Sequence, residues 1–153
     1  MRRRTSDRVR LALTLLGLLI AGYLTLLHYD SSVPLVCSGG SLVNCETVLT
    51  SPSAFAFGVP VAVWGLLWFV VALGLALPPV RAGARGHSPA LRAAGLGWTL
   101  IGTCAVLWLV YQELGVIGRI CAWCTAIHVL VLALLVIQVL SEPERGAGPT
   151  DQP

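Results

Sequence analysis

The sequence predicts an all-α integral membrane protein, a four-helix transmembrane bundle with an extracytoplasmic loop that carries a short half-buried helix. Three observations predict it. Hydrophobic side chains make up 56% of the 153 residues and charged ones 11%, more apolar surface than a core of this length hides, so lipid is the solvent for much of the chain. Four apolar runs, about 11–27, 59–77, 93–111 and 120–140, can each cross a hydrocarbon core of roughly 30 Å at about 1.5 Å per helical residue. The ten basic residues are all arginines and are unevenly placed: five precede the first run, and Arg81, Arg85 and Arg92 lie around the connection between the second and third. By the positive-inside rule both regions are cytoplasmic, and an even number of spans returns the C-terminus to that side. The expected organisation is a basic cytoplasmic N-terminus (1–10), one membrane domain (11–140) and a disordered cytoplasmic tail (141–153), in the cell membrane. The net charge of +3 reflects the membrane flanks and gives no reason to propose nucleic acid as a partner.

The first run follows Arg2, Arg3, Arg4, Arg8 and Arg10, but it is longer than a signal-peptide core and lacks a small-residue cleavage site, so it reads as a retained span. The extracytoplasmic loop, 28–58, begins with His28-Tyr29-Asp30 and a Gly/Ser-rich stretch that holds Cys37. From 42 to 49 apolar residues fall on one side of a short helix with Cys45 in its middle, and Ser51-Pro52 ends it. Residues 42–57 read as a lid along the membrane surface, a pattern shared with plain interfacial anchors. Pro60 suits the first turn of the second span, whose Trp64 and Trp68 share a face. Pro78-Pro79 ends that span, and the linker through Pro89, with His87, reads as a cytoplasmic connection.

Ala94, Gly95, Gly97 and Gly102 give the third span small residues for close helix approach, and Cys104 reads as a small buried hydrophobe. A connection of about eight residues, 112–119, makes the third and fourth spans antiparallel neighbours, with Glu113 and Arg119 meeting headgroup water. The fourth span opens on Cys121-Ala122-Trp123-Cys124. Two thiols at this spacing form a redox couple or half of a zinc site, and a helix N-terminus favours the thiolate. The predicted topology puts Cys37, Cys45, Cys121 and Cys124 outside the cytoplasm, where disulfides persist. Four cysteines there make two static disulfides, a redox relay or a zinc site; the wide gap between Cys37 and Cys45 fits zinc poorly, and no metal is expected. One face continues from the dithiol through His128, Val131 and Leu132 to Leu135, an apolar groove with one polar group. Such a groove suits a lipid-soluble electron carrier, although a histidine at this depth also serves to bond a neighbouring helix.

Cys37, the run from Asn44-Cys45 to Ser51, Phe57-Gly58-Val59-Pro60 and the C-x-x-C two spans later together resemble the vitamin K epoxide reductase family, specifically its bacterial members, over about residues 10–140. The resemblance implies a four-helix bundle around a quinone, of the menaquinone, ubiquinone or vitamin K type. It implies that Cys124 faces and reduces the quinone with Cys121 as its disulfide partner, that Cys45 is the shuttle thiol, and that Cys37 is the mate of Cys45. Ser51 matches a family serine near the loop cysteines. The expected catalytic set is Cys37, Cys45, Ser51, Cys121 and Cys124, and the expected quinone-binding set is Cys124, His128, Phe57, Ala122 and Trp123. His128 stands where animal members have tyrosine. Many bacterial relatives carry a fused thioredoxin-like domain, so the donor expected here is a separate DsbA-like protein of thioredoxin fold. The reading is a thiol:quinone oxidoreductase supporting disulfide formation in exported proteins. Its alternatives are an enzyme whose product is the reduced quinone and a non-catalytic bundle with static disulfides.

Overall fold

The computed structural model describes residues 2–30, 32–37, 40–77 and 89–141. The expected cytoplasmic connection, with Arg81, Arg85 and His87, and nearly all of the expected tail lie outside these residues. The described chain is largely helical: α1 (Arg2–Tyr29), the short α2 (Cys45–Leu49), α3 (Val61–Ala76), α4 (Pro89–Tyr111) and α5 (Ala122–Leu140). Three helical stretches are long and apolar enough to cross a membrane, Thr5–Tyr29, Ala93–Ile117 and Ala122–Leu140, while α3 is a shorter apolar helix.

The four long helices pack as a ring, α1 against α3 and α5, and α4 against α3 and α5. The inner stripe of α1 is Thr14, Gly17, Ala21 and Leu24, at the three- and four-residue spacing that keeps side chains on one helical face. Ala21 meets Phe69, Val106, Val131 and Leu134 in the central core. Outward faces carry Leu19, Leu26, Ile101, Leu107, Trp108 and Val136, whereas Thr14, Thr99 and Gln138 are buried. Apolar outside and hydrogen-bonding groups inside is the arrangement that a hydrocarbon solvent demands. Cys104 belongs to the outward face, which corrects its expected burial: α4 turns Val106 to the core and leaves Cys104 outside.

Gly17 lets the Phe69 ring lie against the α1 backbone, where a β-carbon would overlap the ring. Gly17→Ala is therefore expected to destabilise the α1–α3 pair by about 1–3 kcal/mol, read as a lower thermal midpoint in detergent. Gly102 of α4 admits the Trp68 indole in the same way. Trp68 and Trp98 stack with centroids 6.3 Å apart, and each indole N–H donates to the other's backbone carbonyl, at 3.2 and 3.1 Å. This reciprocal clasp satisfies both buried donors and ties α3 to α4.

Three expected boundaries move. The second span begins at Val61 rather than 59, because Val59–Pro60 pairs with Phe55–Ala56 as a two-stranded hairpin (β1, Phe55–Ala56; β2, Val59–Pro60). Phe57 and Gly58 form its two-residue turn, both at positive φ, 55° and 76°, as a turn matched to strand twist requires. The third helix begins earlier, at Pro89, and continues past Tyr111 into a π-helical turn, Gln112–Ile117, ended by Gly118 at φ 66°. The expected loop 112–119 is thus mostly helix, and it turns Glu113 inward; the carboxyl is buried instead of meeting headgroup water. Finally, α5 starts at Ala122, with Ile120 in a bridge to the loop and Cys121 as the cap.

Candidate redox site

The loop between α1 and α3 is held onto the bundle at several places. Tyr23 donates its hydroxyl to the Pro34 carbonyl at 2.9 Å and accepts from Val36 N–H at 3.2 Å. Trp123 donates its indole N–H to the Val36 carbonyl at 2.7 Å, and its ring meets that of Tyr23 edge-on at 5.2 Å. The stretch entering Cys37 is thereby gripped by α1 and α5 together. Further along, Val43 forms a parallel bridge with Ile120: Ile120 N–H donates to the Leu42 carbonyl and Asn44 N–H to the Ile120 carbonyl, both at 3.0 Å. The Arg119 guanidinium reaches the Ser41 carbonyl beside them. This register carries the chain directly from the bridge into Cys45 on one side and Cys121 on the other.

Asn44 caps α2, its Oδ1 accepting Thr47 N–H at 3.0 Å, so the helix begins at Cys45 rather than around it. Cys45, Val48 and Leu49 point inward, while Leu42, expected on the same face, is exposed. Cys45 is joined to Cys37 in a disulfide with Cα atoms 6.2 Å apart. Cys45, Val48 and Cys121 form one buried cluster, with Cys37, Ile117, Trp123 and Cys124 packed against it. Ser51 donates its hydroxyl to the Val48 carbonyl at 2.8 Å and so closes the end of α2. Gln112 of the π turn donates to Ser53 Oγ at 3.2 Å and fixes the next turn of the loop.

The two thiols of the C-x-x-C pair occupy different surroundings. Cys121 is the N-cap of α5, fully buried against the loop disulfide; its Sγ accepts the Cys124 N–H at 3.3 Å. Its thiol is held below the usual thiol range, first by the hydrogen bond from the Cys124 thiol, in spite of burial and of Glu113, which push it up. Cys124, one turn in, lines a cavity of about 1490 Å³ between the four long helices and the loop, whereas Cys121 is absent from its wall. That volume exceeds the usual small-ligand range of about 300–1,000 Å³ and accommodates a ring together with the start of a long apolar tail.

His128, buried, lies in the cavity wall with Ile127 and Val131. The predicted continuation through Leu132 and Leu135 is corrected: Leu132 faces outward, and the inner stripe runs His128, Val131, Leu134 because an α-helix advances 3.6 residues per turn. Ser51 and Phe57 also belong to the wall, although Phe57, at the hairpin tip, is 98% exposed. Ala122 and Trp123, expected at the quinone, are not part of the wall. Ala122 is exposed, and the Trp123 indole is committed to Val36 and Tyr23, so its work is to seat the Cys37 segment. Glu113, by contrast, lines the cavity, and only its place near Cys121 in the sequence hinted at this.

Span-length apolar helices enclosing a dithiol, a neighbouring disulfide and an apolar cavity define a membrane protein equipped for thiol–disulfide chemistry. Residues 8–139 match the model of the Vitamin K epoxide reductase family. The chain belongs to that family of membrane oxidoreductases.

Proposed function

We propose that this chain is a thiol:quinone oxidoreductase that takes electrons from a thioredoxin-fold partner of the DsbA type and supports disulfide formation in exported proteins. One observation carries the reading: Cys121 is buried against the loop disulfide, while Cys124 opens on the apolar cavity. The pair thus has a sulfur for each side of the exchange. The four long helices cross the bilayer as a bundle. The arginine-rich ends face the cytoplasm, and Cys37, Cys45, Cys121 and Cys124 face the exported side, where an oxidising space favours flow from thiols to quinone.

In the proposed cycle a partner thiolate attacks Cys37, breaking the Cys37–Cys45 bond and freeing Cys45. The partner's second thiol resolves the mixed disulfide. The Cys45 thiolate attacks Cys121 of an oxidised Cys121–Cys124 pair, and Cys124 is released toward the cavity. Cys37 then displaces Cys121 from Cys45, and the Cys121–Cys124 bond re-forms as the electron pair leaves through Cys124. Each exchange needs a thiolate and close approach, which the shared buried cluster provides. A quinone bound in the cavity accepts two electrons and two protons and leaves as quinol. The residues suited to hold it are Cys124, His128 and Phe57, with a histidine nitrogen available to a carbonyl oxygen and apolar walls for the tail.

The test is a detergent-solubilised assay with quinone and a reduced DsbA-like protein, following thiol loss and quinol together. Equal rates of both support the reading, and no turnover leaves a static bundle. The family's description supports a second reading in which the reduced quinone is the product; turnover with vitamin K epoxide in place of quinone distinguishes it. His128→Leu is expected to slow quinone reduction about tenfold or more while partner exchange stays within about twofold. An unchanged quinone dependence in that variant removes His128 from the site.

A further inference from the structure

Glu113 is a buried carboxylic acid that thiol exchange alone leaves without a task. It is 6% exposed, lines the cavity, and its Oε2 accepts the Cys121 N–H at 3.4 Å. One long hydrogen bond is poor compensation for a carboxylate taken out of water. The π-helical turn places it there, and Arg119 N–H, bonded to the Glu113 carbonyl at 3.1 Å, closes the turn. The Arg119 guanidinium is engaged with Ser41. The titratable groups sharing the cavity wall are Cys124 and His128 from α5, His28 from α1 and Glu46 from α2, of which His28 and Glu46 are exposed. Glu113 is within electrostatic reach of both Cys121 and Cys124.

Thiolate attack moves an electron pair without its proton. When Cys45 attacks Cys121, the Cys45–Cys121 bond forms, the Cys121–Cys124 bond breaks, and Cys124 acquires a negative charge. A carboxylate and a thiolate side by side in a low-dielectric site repel strongly, and protonation of one relieves the repulsion. We propose, on the thiol:quinone reading above, that Glu113 is the proton store of the dithiol. Its carboxylate takes a proton from water at the loop end as the dithiol becomes anionic, and releases it into the cavity as the disulfide re-forms. The balance then closes. The Cys121 thiolate and the Cys124 thiol lose two electrons and the thiol proton in forming their S–S bond, and the quinone gains both electrons. One ring oxygen receives the Glu113 proton, the other receives the Cys124 thiol proton, and Glu113 returns to carboxylate. Glu113 thus acts on the two sulfurs through its charge and on the quinone as a proton donor.

The decisive measurement needs no quinone. The reduced-minus-oxidised infrared difference spectrum, with a small dithiol as reductant, is expected to gain the carbonyl stretch of a protonated carboxyl. Glu113→Gln, which keeps the shape and an acceptor for Cys121 N–H, is expected to lack that band, and Glu113→Asp to retain it. With quinone present, Glu113→Gln is expected to form quinol at least about tenfold more slowly, with the deficit widening as pH rises and proton supply falls. No carboxyl band in the unaltered protein, a band that persists in Glu113→Gln, or an unchanged quinol rate and pH profile overturns the proposal. Should Glu113→Gln fail to fold, the unaltered and aspartate proteins decide by the same spectrum. Absence of any quinol in the unaltered protein counts against the thiol:quinone reading instead, and the infrared result still decides the role of Glu113.

Discussion

Cys124→Ser is expected to lower quinol formation by more than about 100-fold, to the background of the uncatalysed reaction, and to leave Cys45 joined to Cys121. The reason is the separation of surroundings across one helical turn. Cys121 is buried with Cys45, and with Cys124 gone its thiolate attacks the Cys37–Cys45 disulfide at Cys45, releasing the Cys37 thiol. The freed Cys37 thiol can only reverse this step, and no sulfur is left to pass an electron pair into the cavity. Peptide mapping without reductant checks this directly, through a cross-linked pair containing Cys45 and Cys121 and a free Cys37. A variant that retained quinol formation would show that Cys124 is not the sulfur at the cavity. Cys121→Ser, in contrast, leaves Cys45 without its target, and the same mapping finds the Cys37–Cys45 disulfide intact.

Cys45→Ala is expected to separate the two halves of the reaction. Transfer from the protein partner falls by more than about 100-fold, because the loop loses the sulfur that shares a buried cluster with Cys121. A small membrane-permeant dithiol bypasses the loop, reaches Cys121–Cys124 through the cavity, and keeps quinol formation within a few-fold of the unaltered rate. Survival of both activities would remove Cys45 from the relay, and loss of both would make its role structural. Cys37→Ala shares the defect toward the partner but leaves Cys45 free to link to Cys121, so the two variants differ in their disulfide maps.

Much of this architecture is legible in the residues. Apolar length predicts the membrane helices, and the spacing of Cys121 and Cys124 puts them one turn apart at a helix start. What escapes is governed by single local events. The hairpin at Phe55–Pro60 shortens α3, because Phe57-Gly58 is a turn whose backbone angles no apolar count reveals. The π turn at Gln112–Ile117 rotates Glu113 inward, where a regular helix end would have left an acidic residue in water. Trp123 sits between the two cysteines, yet its indole is claimed by a backbone carbonyl of a loop distant in sequence. Helical periodicity places a stripe to within about one residue, and that error exchanges Leu132 for Ile127 on the cavity wall.

The Trp68–Trp98 clasp lies in the cavity wall and also borders a separate small void of about 30 Å³ near Arg10 and Thr14. With their N–H groups spent on each other's carbonyls, the stacked indoles offer no hydrogen-bond path between the two spaces. In the proposed cycle the clasp relays no proton, and the protons that the quinone takes up are expected to enter from the loop end. Turnover is then expected to be insensitive to a membrane potential imposed on liposomes that carry the protein.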